Sequence, residues 1–171
     1  MSRNSHKEFL TRLDQSRKST FLVAEYLHRS GYNVEIPAFD YRDQHTNWLD
    51  HVDDGDLFIK KGNGLRHRID VKHVSFRFTS QKDVRVQKLF VADVRAIERA
   101  NPFPLAYISV NNQCTHMAII WAKTKPTWDI HEVFASNTGK MISVMRCPVE
   151  NIDFRSFNDD SRCRNNPTKA P

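Results

Sequence analysis

From Asp56 to Val74 the chain describes a reversal that constrains everything built around it. An apolar run, Leu57-Phe58-Ile59, leads into Lys60-Lys61-Gly62-Asn63-Gly64, and a second run extends from Leu65 to Val74. The Gly-Asn-Gly sequence tolerates the positive φ angles that a tight reversal between two strands needs, so a β-hairpin is expected. Strand side chains alternate between faces, which sends Ile69 and Val71 one way and Arg68, Asp70 and Lys72 the other. Asp70 and Lys72 then share a face, and the hairpin can bring Asp56 beside them. Two carboxylates with an ammonium nearby can hold a hard divalent cation and organise a water molecule, chemistry that suits phosphodiester hydrolysis.

An acid-x-Lys triplet has no weight alone, since 20 acidic residues and 11 lysines among 171 positions give about one by chance. Context lifts it: an acid opens one hydrophobic strand, a glycine turn follows, and the triplet lies inside the next strand. The same residues also fit a plain hairpin whose solvent face carries an Asp–Lys pair of little energetic consequence.

The stretch from about Ser16 to Val74 resembles the PD-(D/E)XK nuclease superfamily, to which many restriction enzymes and Holliday-junction resolvases belong. The matching pieces are a helix over Ser19 to Ser30, a strand over Tyr32 to Ile36, a strand from Asp56 to Ile59, and Ile69-Asp70-Val71-Lys72-His73. Gly55 stands where the pattern has Pro, a replacement common in the superfamily. The continuation from Ser75 to Phe154 resembles, more weakly, small phage-encoded proteins of the same superfamily, and it carries no catalytic motif.

The resemblance implies an α/β fold with a restriction-endonuclease-like core, a central mixed β-sheet flanked by helices. It implies a Mg²⁺-dependent DNA endonuclease, with Mn²⁺ able to substitute, leaving 5′-phosphate and 3′-hydroxyl ends. Asp56 and Asp70 would ligate the metal with the backbone carbonyl of Val71, and Lys72 would orient the attacking water. DNA is the implied partner, a homodimer is common in such enzymes, and the expected location is the cytoplasm, the host's if the chain is phage-encoded. The alternative is a nuclease-fold protein without catalysis that binds nucleic acid or another protein, and a third reading is a structural or interaction protein.

Length and composition agree with one domain over 1–154 and a tail over 155–171, which lacks apolar residues after Phe157 apart from Cys163 and Ala170. A net charge of +6 and a pI near 9.4 favour a polyanionic partner. No apolar run approaches the ~20 residues that span a bilayer, and the polar N-terminus does not read as a secretory signal. Cys114, Cys147 and Cys163 are widely spaced, which points to reduced thiols.

Elsewhere, Ser5 and Glu8 suggest a capping-box start for a first short helix, and Leu22, Val23, Tyr26 and Leu27 mark a second that Gly31 ends. The polar stretch Asp40 to Asp54 is expected to be a loop at the mouth of the site. Phe76-Arg77-Phe78 continues the alternation. Lys88 to Ala100 fits a helix by one period and a strand at Leu89-Phe90-Val91 by another, and the nuclease core expects a helix there. Leu105 to Val110 pairs with Met117 to Ala122, and Ile130 to Ala135 with Met141 to Arg146.

Several residues compete for roles around the triplet. Glu25 is a tempting third acid but falls opposite the apolar side of its helix. Gln87 lies 15 residues after Lys72, where some nucleases carry Gln-x-x-x-Tyr, yet position 91 is Val. His73 alternates onto the core side with Val71, as a structural histidine would. Asp50, Asp53, Asp54 and Asp56 fail the calcium-loop spacing, and His67, His73, His116 and Cys114 lack zinc-ligand spacing. Lys60, Lys61, Arg66, Arg68 and Lys88, with Lys82 and Arg85, form a basic set that could track phosphates.

Overall fold

The computed structural model describes residues 3–37, 56–135 and 139–159. The expected loop over 40–54, the 160–171 part of the tail and the Asn137-Thr138 turn residues lie outside them.

The N-terminal stretch forms one helix, α1 (Arg3–Arg29), where two were expected. Nothing between Asp14 and Ser19 breaks it, because that stretch holds neither glycine nor proline. Gly31, at φ +86°, ends it as expected. Its N–H donates to the His28 carbonyl at 2.9 Å and that of Tyr32 to Leu27 at 3.2 Å, the paired bonds of a Schellman stop.

Strands β1 (Asn33–Glu35), β2 (Leu57–Lys60) and β3 (His67–His73) follow. The hairpin forms: β2 and β3 are antiparallel, with Leu57 opposite Ile69 and Ile59 opposite His67. In its turn Gly62 takes φ +54°, and the Gly64 N–H donates to the Lys61 carbonyl at 2.9 Å. A Cβ on Gly64 would stand 2.9 Å from that same carbonyl oxygen, so a side chain there would force the turn open. The second arm is shorter than expected, since Leu65 is exposed ahead of the ladder.

Phe76-Arg77-Phe78 is not a strand. The segment leaves the sheet, and Phe78 is buried while Phe76 stays at the surface. The ambiguous stretch after it resolves into both readings in series, β4 (Lys88–Asp93) and the short helix α2 (Val94–Arg99). Leu89 and Val91 are buried at strand spacing, whereas Ile97 is the one buried residue of α2. Asp93 caps α2 by accepting from Arg95 N at 2.7 Å. Then come β5 (Ala106–Val110), β6 (His116–Trp121), β7 (Asp129–Ala135), β8 (Lys140–Pro148) and β9 (Asp153–Ser156). The boundary expected at 155 falls inside β9, and Phe157 packs into the core against Tyr26.

The fold is α/β with a mixed six-stranded sheet in the order β1-β2-β3-β5-β6-β9. Among the described strands only β3 and β5 are parallel, with Asp70 beside Tyr107 and Lys72 beside Ser109. A second, antiparallel sheet runs β4-β8-β7. Helix α1 covers one face of the large sheet, where Val23 and Ala24 meet Leu57, Ile59, Ile69, Val71 and Ile108. The other face meets the second sheet together with a helix: Tyr107, Ala118 and Ile120 pack with Leu89, Val91 and Cys147 of the second sheet and Ile97 of α2. The physical reason is that Val94–Arg99 alone offers too little apolar surface to cover that face. Among the described residues no helix is long and apolar enough to cross a membrane.

Candidate active site

Asp56 immediately precedes β2, one step beyond the Leu57–Ile69 pair, and so stands across from Asp70 on β3. One oxygen of its carboxylate, Oδ2, accepts the Val71 N–H at 2.7 Å, which ties the start of one arm to the middle of the other. The hairpin thus brings the two acids to neighbouring strands, as the alternation of residues implied.

Asp70 is buried, 8 % exposed, on the face covered by the second sheet. Its Oδ1 accepts from Arg68 Nε at 2.9 Å, and Arg68 is itself only 3 % exposed. The two belong to one strand face two residues apart, so burying that face buries both charges, and their pairing offsets the desolvation. This removes Arg68 from the surface basic set.

Lys72 lies two residues further along the same face, half-buried, with Nζ 5.7 Å from the centre of the Tyr107 ring. In the sequence Tyr107 reads as one more apolar member of a strand. It is 2 % exposed, and its hydroxyl has no hydrogen-bond partner among the described residues. Burial, reinforced by the charge of Asp70 and opposed by Arg68, holds its phenol well above the ordinary range. It therefore stays protonated, a donor beside a carboxylate. Only the β3–β5 register discloses it, and register across a crossover is not a local property.

The Val71 side chain is buried toward α1, and the atom seen to meet Asp56 is its amide nitrogen. His73 also turns toward α1, with Nδ1 3.1 Å from Ser19 Oγ. Ser19 gives its one hydroxyl proton to the Gln15 carbonyl at 3.0 Å, which assigns the donated proton to His73 Nδ1. Burial, then the positive charge of Lys18, lowers the His73 pKa. Glu25 is exposed and reaches Arg29 at 4.0 Å, away from the site. Gln87 is exposed, and its backbone carbonyl accepts from Val149 N at 3.0 Å.

The remaining basic residues divide. Lys60 and Lys61 are exposed, with Lys61 Nζ 5.8 Å over the Tyr32 ring. Arg66 lies 3.5 Å over Phe58 and bonds Glu35 at 2.8 Å. Lys88 pairs with Asp129 at 3.2 Å, as Arg146 does at 2.7 Å, and these cations hold the Asp129 carboxyl down to about 2.

Asp56 and Asp70 offer hard oxygen donors, the type that Mg²⁺ and Mn²⁺ prefer. Among the described residues no group of three or more His, Cys, Asp or Glu side chains is placed to hold a metal ion. A cation at the two acids would draw its other ligands from backbone, water or substrate, as Mg²⁺ commonly does. Asp50, Asp53 and Asp54 lie outside the described residues. No protein-family model, curated protein or solved structure matches the chain.

Proposed function

We propose that this protein is a Mg²⁺-dependent endodeoxyribonuclease of the PD-(D/E)XK kind, with Mn²⁺ as an alternative metal. One observation carries the reading: Asp56, just ahead of β2, is tied to the neighbouring strand of Asp70 through the Val71 amide, with Lys72 on the same face as Asp70. The order of elements lends support, with a helix and strand before the Asp56 strand and a parallel neighbour beside the triplet. The second sheet departs from the helical flank of a restriction-endonuclease-like core.

Asp56 and Asp70 would hold the metal, which when bound supplies Lewis acidity toward a phosphate oxygen and a more acidic water. The chain's own part is positional and electrostatic. Val71 N–H fixes the Asp56 carboxylate, and Arg68 fixes that of Asp70. Tyr107 presents its ring to Lys72, which favours an ammonium over the ring face. From there Lys72 orients a water and offsets negative charge that builds on the phosphate.

The Arg68–Asp70 pair favours a second reading, a non-catalytic nucleic-acid-binding protein, because it already satisfies part of Asp70 in a buried setting. A cleavage assay separates the two. Supercoiled plasmid, linear duplex, single-stranded and four-way-junction DNA are incubated with Mg²⁺ or Mn²⁺ and wild type, Asp70→Asn or Lys72→Ala protein. The proposal expects cleavage by wild type and a loss of about 10²-fold or more in either variant. Equal activity in all three contradicts it, and binding without cleavage by wild type leaves the second reading.

A further inference from the structure

The segment that leaves β3 lines a surface groove of about 840 Å³ between Phe76, the Gln81–Asp83 turn and the start of β4. We propose that this groove binds a single nucleic-acid strand, its bases stacking on Phe76 and Phe90 and its phosphates meeting Arg77, Lys82 and Arg85.

The aromatic part is unusual for a surface. Phe76 is 41 % exposed and Phe90 is 44 % exposed, and both line the groove. Phe76 is held in place: its ring packs on Phe78 at 5.8 Å, and Phe78, fully buried, packs edge-on against Phe154 at 5.6 Å. The backbone beneath is pinned as well. The buried Asn111 donates from Nδ2 to the Phe78 carbonyl at 2.9 Å, and Asn112 N donates to the Phe76 carbonyl at 3.2 Å. Phe90 stands on β4, within the ladder to β8. Two exposed rings on rigid supports present faces for flat partners at little entropic cost.

The charge completes the match. Arg77, Lys82 and Arg85 are exposed along the groove, and Lys88 lies beside them with its ammonium on Asp129. The single acid in the lining, Asp83, accepts from Thr79 N at 2.9 Å and Ser80 N at 3.0 Å, so its carboxylate is turned into the loop. Those bonds, led by the Thr79 hydroxyl, lower its pKa. Cations interleaved with aromatic faces bind single strands, in which bases are unstacked; a duplex offers phosphates but hides its base faces.

The groove follows Lys72 by four residues along the chain, and under the hydrolase reading it would hold a strand running on from the cut. The binding proposal itself does not need that reading, so its test omits metal. Fluorescence anisotropy with EDTA would compare labelled 15-nucleotide oligo(dT) and oligo(U) with a 15-base-pair duplex of equal label, for wild type, Phe76→Ala/Phe90→Ala and Arg77→Gln/Arg85→Gln.

Wild type should prefer a single strand, and the aromatic variant, its fold retained by circular dichroism at the assay temperature, should bind it about 10-fold more weakly or worse. The arginine variant should flatten the slope of log K against log salt by about 0.7 per cation removed. The relative affinities of oligo(dT) and oligo(U) assign the strand to DNA or RNA. Equal single-strand binding by wild type and the aromatic variant, or preference for duplex, would overturn the proposal. So would a wild-type dimer that binds no oligonucleotide and that the aromatic variant makes monomeric, which would make the surface a self-association face. Cleavage lost with this binding intact would strike the hydrolase alone; cleavage retained without it would strike the groove alone.

Discussion

The two faces of β3 bury neighbouring residues by opposite means. Toward α1 stand Ile69 and Val71, 1 % and 4 % exposed. Ser19 and Thr20 give their hydroxyl protons to helix carbonyls, and His73 meets Ser19. Toward the second sheet stand Arg68 and Asp70, equally hidden but charged, beside a tyrosine hydroxyl with no partner among the described residues. The first face is a core in the ordinary sense. The second keeps polar capacity in a place where burial makes it costly, and such local inconsistencies concentrate where function resides.

The contrast is broken most severely at the charged face. Arg68→Ala should destabilise by about 3–5 kcal/mol in urea unfolding, because it leaves Asp70 buried without its guanidinium. Replacing both partners, as Arg68→Met with Asp70→Leu, should restore most of that loss. If Arg68→Ala is neutral, the pair does not hold this face together. On the apolar face, Ile69→Ala should cost about 3 kcal/mol through lost packing alone. Its cleavage, measured well below its melting temperature, should match wild type.

Tyr107→Phe sharpens the comparison in the other direction. Deleting a buried hydroxyl with no partner among the described residues should raise stability by about 1 kcal/mol. A clear destabilisation would mean that the hydroxyl is satisfied, and the asymmetry between the faces would narrow.

The smallest effect is expected at His73. Its folded pKa lies below the unfolded value of 6.5, so folding favours the neutral ring. The unfolded chain therefore takes up its proton first on acidification. This contribution is present above pH 6.5 and is lost as pH falls through 6.5 toward the lower folded pKa. His73→Gln should flatten the stability profile in that window, and an unchanged slope would assign it to another group.

Much of the hairpin was legible in the sequence, for reasons that show where legibility stops. Gly62 to Gly64 and the alternation from Arg68 to Lys72 are local signals, and they correctly put Asp70 and Lys72 on one face and His73 on the other. What covers each face is not local. Arg68 reads as a surface cation until the second sheet closes over it, and Tyr107 gains meaning only through its parallel register with Asp70. Leu89-Phe90-Val91 could not be assigned by period because a short apolar run fits both geometries. The end of the sheet is hidden in the sequence because Arg155 and Ser156 are polar, although pairing with Met117 and His116 makes them an edge strand.

The central claim, a divalent-cation site at Asp56 and Asp70 served by Lys72, is tested most directly by Mn²⁺ binding followed by electron paramagnetic resonance. Wild type, Asp56→Asn, Asp70→Asn and Lys72→Ala would be titrated side by side, with each variant's fold checked by circular dichroism. The account expects saturable binding by wild type and by Lys72→Ala, and its loss in both aspartate variants. No binding by wild type at millimolar Mn²⁺, or undiminished binding by folded Asp70→Asn, would contradict it.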